Sequence, residues 1–262
     1  MQTPINHFKR RLYEQQVQIG FWLALADANI AEICANQGFD WLLIDAEHGP
    51  QTLSGIVGQL RAIESSQSCS ALVRAPGHDP VAIKQILDLG AQTIMVPMVE
   101  TAEQARAIVA ASLYPPAGIR SVGGSRAARW GGYPAYIQES NAQICIIAQI
   151  ETGLAIDNLE EIAAVDGIDA LFLGPADLAA TEGLLGPDHF DDLFVLTGQT
   201  LARIVATGKA AGILSRDERL VQQYLDGGAR LIANGIDSFS LARAVGDNLR
   251  DWRTRISQQA AD

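Results

Sequence analysis

Short, nearly continuous apolar runs recur along the chain, and between them apolar residues fall three and four apart. Eight of the runs read as strands, at residues 17–25, 40–47, 71–74, 93–98, 144–151, 170–173, 211–214 and 230–234. Runs with no polar face belong to a parallel sheet covered on both sides. The stretches between them carry helical stripes such as Ile56, Leu60, Ile63 and Val81, Ile86, Leu89. Several stripes stop at a glycine just before the next strand (Gly38, Gly90, Gly167, Gly228), as a helix C-cap does. Strand and helix in this alternation, joined by right-handed crossovers, predict an α/β fold. The expected form is a single-domain (β/α)8 TIM barrel over residues 1–262, since about 250 residues is typical of such a barrel. The competing open, doubly wound sheet needs a glycine-rich phosphate loop after its first strand, and none is present.

If the barrel is right, the chemistry sits where the strands end. The stretch from Ile144 to Leu178 supplies two strands, each followed by an acid: Glu151 and Asp177. Counting by twos from Ile147 puts Gln149 and Glu151 on one face; counting from Leu171 puts Leu173 and Asp177 on another. On neighbouring strands roughly 4.8 Å apart, the two carboxylates can close on one hard divalent cation such as Mg²⁺ or Mn²⁺. The plainer alternative is that both acids cap helices. The second strand ends DWLLIDAEHGP, bringing Asp45, Glu47 and His48 to the same rim. A histidine beside carboxylates suits a general base, although pairing with Asp45 requires the chain to bend after Ala46. Alone, His48 reads equally as a solvated loop residue. Arg74 ends the third strand, and an arginine in an apolar run needs an anionic partner, either a structural carboxylate or a substrate. The three lysines, Lys9, Lys84 and Lys209, lie at no inward-facing strand end, which disfavours Schiff-base chemistry.

One connection, residues 114–136, holds tandem prolines, five glycines and the arginines Arg120, Arg126 and Arg129. Following the fourth strand, it reads as a lid or substrate loop over the catalytic rim. Its arginines would receive a distal carboxylate or pair with surplus acids. Composition narrows the partners further. With 19 Lys and Arg against 30 Asp and Glu, the net charge of −11 argues against nucleic acid or an anionic membrane, leaving a small molecule. Three scattered cysteines, no signal-like N-terminus and no long apolar span predict a soluble, cytoplasmic protein.

Six segments, in order, carry a resemblance: GFDWLLIDAEHGP, VRAP, DPVAIKQILDLGAQTIMVPMV, YPPAGIRSVG, QIET and GPADLA. Together, over about residues 18–242, they resemble the HpcH/HpaI aldolases, metal-dependent pyruvate aldolases acting on 4-hydroxy-2-oxo acids. The resemblance implies a barrel of the phosphoenolpyruvate/pyruvate-binding type. It also implies a homohexamer, a trimer of dimers, with a C-terminal helix at about 241–257 exchanged between subunits. It implies Glu151 and Asp177 as ligands of Mg²⁺, Mn²⁺ or Co²⁺, His48 with Asp45 as the base dyad, and Arg74 on the pyruvate oxygen. Gln149 would hold the substrate, the backbone of Gly174 and Ala176 the pyruvate carboxylate, and Glu47 would support the site. Trp22 and Leu214 would shape the acceptor pocket, and Asp88 would reach a neighbouring subunit's site. The expected reaction is reversible cleavage to pyruvate and an aldehyde, as in aromatic compound catabolism. Two alternatives stand beside it: a citrate-lyase-like enzyme acting on an acyl-CoA thioester, and a non-catalytic barrel that binds a sugar acid.

Overall fold

The computed structural model describes residues 1–66 and 68–259. Eight parallel strands, β1 Gln18–Leu23, β2 Trp41–Asp45, β3 Ser70–Arg74, β4 Thr93–Val96, β5 Cys145–Ile150, β6 Ala170–Leu173, β7 Ala210–Leu214 and β8 Leu231–Ile236, close into a barrel in sequence order. All eight expected runs are strands, and β8 pairs with β1 to seal the sheet. Gly38, Gly90, Gly167 and Gly228 all have positive φ, the conformation glycine adopts at little cost where a helix ends. At the opposite helix ends, the side chains of Asp27, Thr52, Asp79, Thr101, Thr152 and Asp217 accept backbone N–H groups.

Alternation along each strand divides the core in two. Outward residues such as Leu42, Ile44, Val73, Ile94, Leu171 and Leu173 pack under the helices. Inward residues, among them Trp22, Trp41, Leu43, Leu72, Met95, Ile147, Phe172 and Leu231, fill the barrel. The helix His7–Tyr13 plugs the end where the strands begin, with Phe8 and Leu12 packed onto that interior cluster. The helix thereby closes the barrel interior at that end.

The interior has no spare volume at Gly20. A Cβ there would stand 2.1 Å from Cδ2 and Cε2 of the fully buried Trp41 indole. Gly20→Ala is therefore expected to lower the unfolding free energy by about 1–3 kcal/mol, the usual cost of overpacking. Urea denaturation checks this: an unchanged midpoint would mean that the indole can move aside.

Residues 114–136 do not form the expected lid. A helix, Ala102–Ser112, intervenes after β4, opened by a capping box of Thr101 and Gln104, and it carries the chain back to the end where strands begin. There Arg120 pairs with Asp88 at 2.7 Å, while Arg126 and Arg129 reach Glu64 at 2.8 and 3.2 Å. Asp88 and Glu64 close the helices Pro80–Asp88 and Leu53–Glu64. Of the two roles read for the three arginines, they take the second, pairing with the chain's own acids.

Candidate active site

β2 and β3 are in register so that Asp45 faces Arg74. The guanidinium grips the carboxylate with two bonds, Nε to Oδ1 at 2.9 Å and Nη2 to Oδ2 at 2.5 Å, and its remaining nitrogen, Nη1, lies 2.8 Å from Glu47 Oε2. This answers why an arginine is tolerated at the end of an apolar strand: two carboxylates meet it. Burial alone would raise the Asp45 carboxyl. The Arg74 hydrogen bonds and charge, with the N–H groups of His48 and Glu47, outweigh burial and hold it below its usual range.

The bend expected after Ala46 is present. Asp45 Oδ1 accepts the backbone N–H groups of Glu47 (3.1 Å) and His48 (3.3 Å), folding the chain over the strand end. Gly49 is needed for this turn, since a Cβ there would fall 2.4 Å from the Asp45 carbonyl oxygen. The bend does not join the His48 ring to Asp45 as the expected dyad would require. Asp45 is occupied by Arg74, Trp22 and the turn backbone, and the carboxylate near the His48 ring is Glu47, 3.8 Å from Nε2. His48 nonetheless lines the same cavity as Asp45.

Gln149 and Glu151 share the inward face of β5 and its end, as alternation predicts. Glu151 is buried, its Oε1 accepting the N–H of Met98 at 2.7 Å and its Oε2 the amide of Gln149 at 2.8 Å. Asp177 arrives by a different route from the one read in sequence. Leu171 and Leu173 face the helices; it is Phe172 that lies in the barrel interior. The strand ends at Leu173, Pro175 starts a helical turn at once, and Asp177 comes to the site from the first turn of the helix Pro175–Thr181. Gly174 lets this turn pass close over the buried acid: a Cβ would lie 2.4 Å from Glu151 Oε2 and 3.2 Å from Gln149 Nε2.

Burial, with the charges of Asp177 and Glu47 nearby, pushes the Glu151 carboxyl up to about 7. A buried carboxyl raised partly by the charges of neighbouring acids fits a divalent cation, which would offset that repulsion. Gln149 Oε1 is a further buried oxygen without a hydrogen-bond partner among the described residues. Among those residues no group of three or more His, Cys, Asp or Glu side chains is gathered to hold an ion. A cation held by Glu151 and Asp177 would thus complete its shell with water and substrate oxygens, as Mg²⁺ and Mn²⁺ do.

These groups converge on one cavity of about 420 Å³ lined by Trp22, Asp45, His48, Arg74, Gln149, Gly174, Ala176, Asp177 and Leu214, all singled out from the sequence. Asp88 is the outlier, at the far end of this barrel. Phe172, Ile236, Ser238 and Phe239 also line the cavity and were missed. Phe172 could have been found by counting back two from Gly174. Phe239 could not, because the final helix begins at Asp237, earlier than the pattern at 241 suggests. None of Lys9, Lys84 and Lys209 reaches the cavity; Lys9 and Lys209 bond to Ile144 and Ile168 carbonyls where strands begin.

Comparison with known proteins follows the same lines. The family model described as HpcH/HpaI aldolase/citrate lyase matches residues 18–244. A 4-hydroxy-2-oxovalerate aldolase of Novosphingobium aromaticivorans is 75% identical over 259 residues, 99% of each chain. A 4-hydroxy-2-oxo-heptane-1,7-dioate aldolase of Escherichia coli is 46% identical over 242 residues, 92% of each chain. The crystal structure of an HpcH/HpaI aldolase/citrate lyase family protein from Burkholderia cenocepacia superposes with a TM-score of 0.90 at 38% identity, covering 95% of this chain and 99% of that one.

Proposed function

The chain belongs to the HpcH/HpaI aldolase/citrate lyase family, and from that premise we propose that it is a carbon–carbon lyase, reversibly cleaving a 4-hydroxy-2-oxo acid to pyruvate and an aldehyde. The observation that carries this reading is the convergence, on one cavity without a lysine, of a carboxylate-bound arginine, a histidine and Asp177, with the buried Glu151 under Gly174. Cleavage needs a base for the C4 hydroxyl and a sink for the electrons left on the pyruvate half. With no lysine at the cavity, an imine is not the sink.

Glu151 and Asp177 would hold Mg²⁺, Mn²⁺ or Co²⁺, which when bound supplies Lewis acidity toward the 2-oxo acid. Arg74 adds donors to the oxygen that gains charge; its two bonds to Asp45 fix the plane in which those donors lie. Gln149 and the backbone at Gly174 and Ala176 orient the pyruvate half and its carboxylate. His48 is assigned the proton of the C4 hydroxyl, with Glu47 beside the ring and Asp45 setting the turn that carries it. Trp22 and Leu214, with Phe172 and Ile236, give the aldehyde half an apolar wall.

The helix Asp237–Gln259 leaves Leu241, Val245, Leu249, Trp252 and Ile256 exposed, which supports its exchange between subunits of a hexamer; Asp88, paired with Arg120 away from this chain's cavity, is assigned to a neighbouring subunit's site. Sedimentation at micromolar concentration is expected to give a hexamer; a monomer would remove the exchange. The three cysteines are free thiols, and no helix among the described residues is long and apolar enough to cross a membrane. The cytoplasm is the proposed location.

The test is a panel of aldehydes mixed with pyruvate and Mn²⁺, read by product mass. Formation of 4-hydroxy-2-oxo acids, and their return to pyruvate, is the expected result. No product with any aldehyde, together with tight binding of coenzyme A, would replace the aldolase with a thioester lyase.

A further inference from the structure

Trp22 does more in this structure than bound a pocket. Its side chain is buried, and the indole Nε1–H donates to Asp45 Oδ2 at 3.2 Å. The Arg74 guanidinium lies over the same ring, 5.2 Å from its centroid. The ring is braced by Trp41 and Phe172, at centroid distances of 6.4 and 5.7 Å, so its N–H has a fixed direction. With this bond both Asp45 oxygens are fully engaged: Oδ1 by Arg74 Nε and two turn N–H groups, Oδ2 by Arg74 Nη2 and the indole. A pocket wall needs only shape, which phenylalanine supplies. A group that locks a carboxylate inside an apolar barrel needs one donor on a rigid apolar body, and indole is that group.

We propose that Trp22 is a positioning residue. By holding Asp45 through its N–H and Arg74 through its ring face, it fixes the plane of the guanidinium and the turn that carries His48. This rests on reading the cavity as an aldolase site. Without the indole N–H, Asp45 Oδ2 keeps only Arg74 Nη2, so the carboxylate and the guanidinium it grips can tilt together and the donors of Arg74 lose their aim while the space for the aldehyde stays the same. Turnover would fall; acceptor binding would not.

Trp22→Phe keeps a ring and removes the N–H. If that variant does not fold, 3-benzothienylalanine placed at position 22 keeps the full indole shape with sulfur in place of the N–H. In either variant kcat for aldol addition is expected to fall about tenfold, the usual weight of one hydrogen bond to a charged group. KM for a short and a long aldehyde should each stay within about twofold. In an Asp45→Asn background the same change should cost less than about twofold, because the group it acts through is already altered. An unchanged kcat, a KM that moves with aldehyde length, or an equal loss in both backgrounds would each return Trp22 to the role of a wall. A wild type that forms no aldol product would remove both the reading of the site and this inference.

Discussion

Glu151→Ala and Asp177→Ala are each expected to lower pyruvate release by about a thousandfold or more, with Mn²⁺ in excess. A Lewis acid contributes several kcal/mol to such a step, and each 1.36 kcal/mol is a factor of about ten. The two variants should differ in stability. Asp177 is exposed on a helical turn, and its loss should leave thermal unfolding within a degree or two. Glu151 is buried and accepts from Met98 and Gln149, so its removal strands two donors while relieving a carboxyl that its surroundings hold near 7. These effects oppose each other, and the Glu151 variant is expected to fold. Steady-state assays beside thermal unfolding check both points; turnover within tenfold of wild type in either variant would take that acid out of the site.

His48→Ala is expected to cut turnover by about 10²- to 10⁴-fold, the range for a positioned general base. The fold should not notice. The His48 side chain is 65% exposed, with Glu47 3.8 Å from its ring, whereas the turn depends on its backbone N–H, which alanine retains. A stopped assay for pyruvate, beside a melting curve, separates the two. Unchanged turnover would leave proton transfer to another group. A large drop in melting temperature would mean that the ring supports the turn.

Much of this was legible in one sequence, because barrel strands buried on both faces have an apolar signature and the acids, arginine and histidine at their ends interrupt it. Gln149 and Glu151 could be assigned to one face by counting alone. What was not legible depends on which partner wins a contest between strands. Asp45 could pair with His48 three residues on or with Arg74 across the sheet, and only the register, which puts Asp45 opposite Arg74, decides for the arginine. Counting by twos brings Asp177 to the rim for the wrong reason, since strand alternation does not run through Pro175 into a helical turn. The helix Ala102–Ser112 is rich in alanine and gives little contrast between its faces. Read without it, residues 114–136 follow β4 directly and fall over the opposite end of the barrel from the one they occupy. The capping box of Thr101 and Gln104 was the available signal.

The reading stands on a divalent cation between Glu151 and Asp177 serving as the electron sink in a cavity that lacks a lysine. The direct measurement is the time course of pyruvate release from 4-hydroxy-2-oxopentanoate by protein stripped with chelator and dialysed, followed by addition of Mn²⁺. The expected trace is flat before the metal and linear after it, with the wild-type rate recovered. Release that proceeds at full rate in the stripped protein would contradict it.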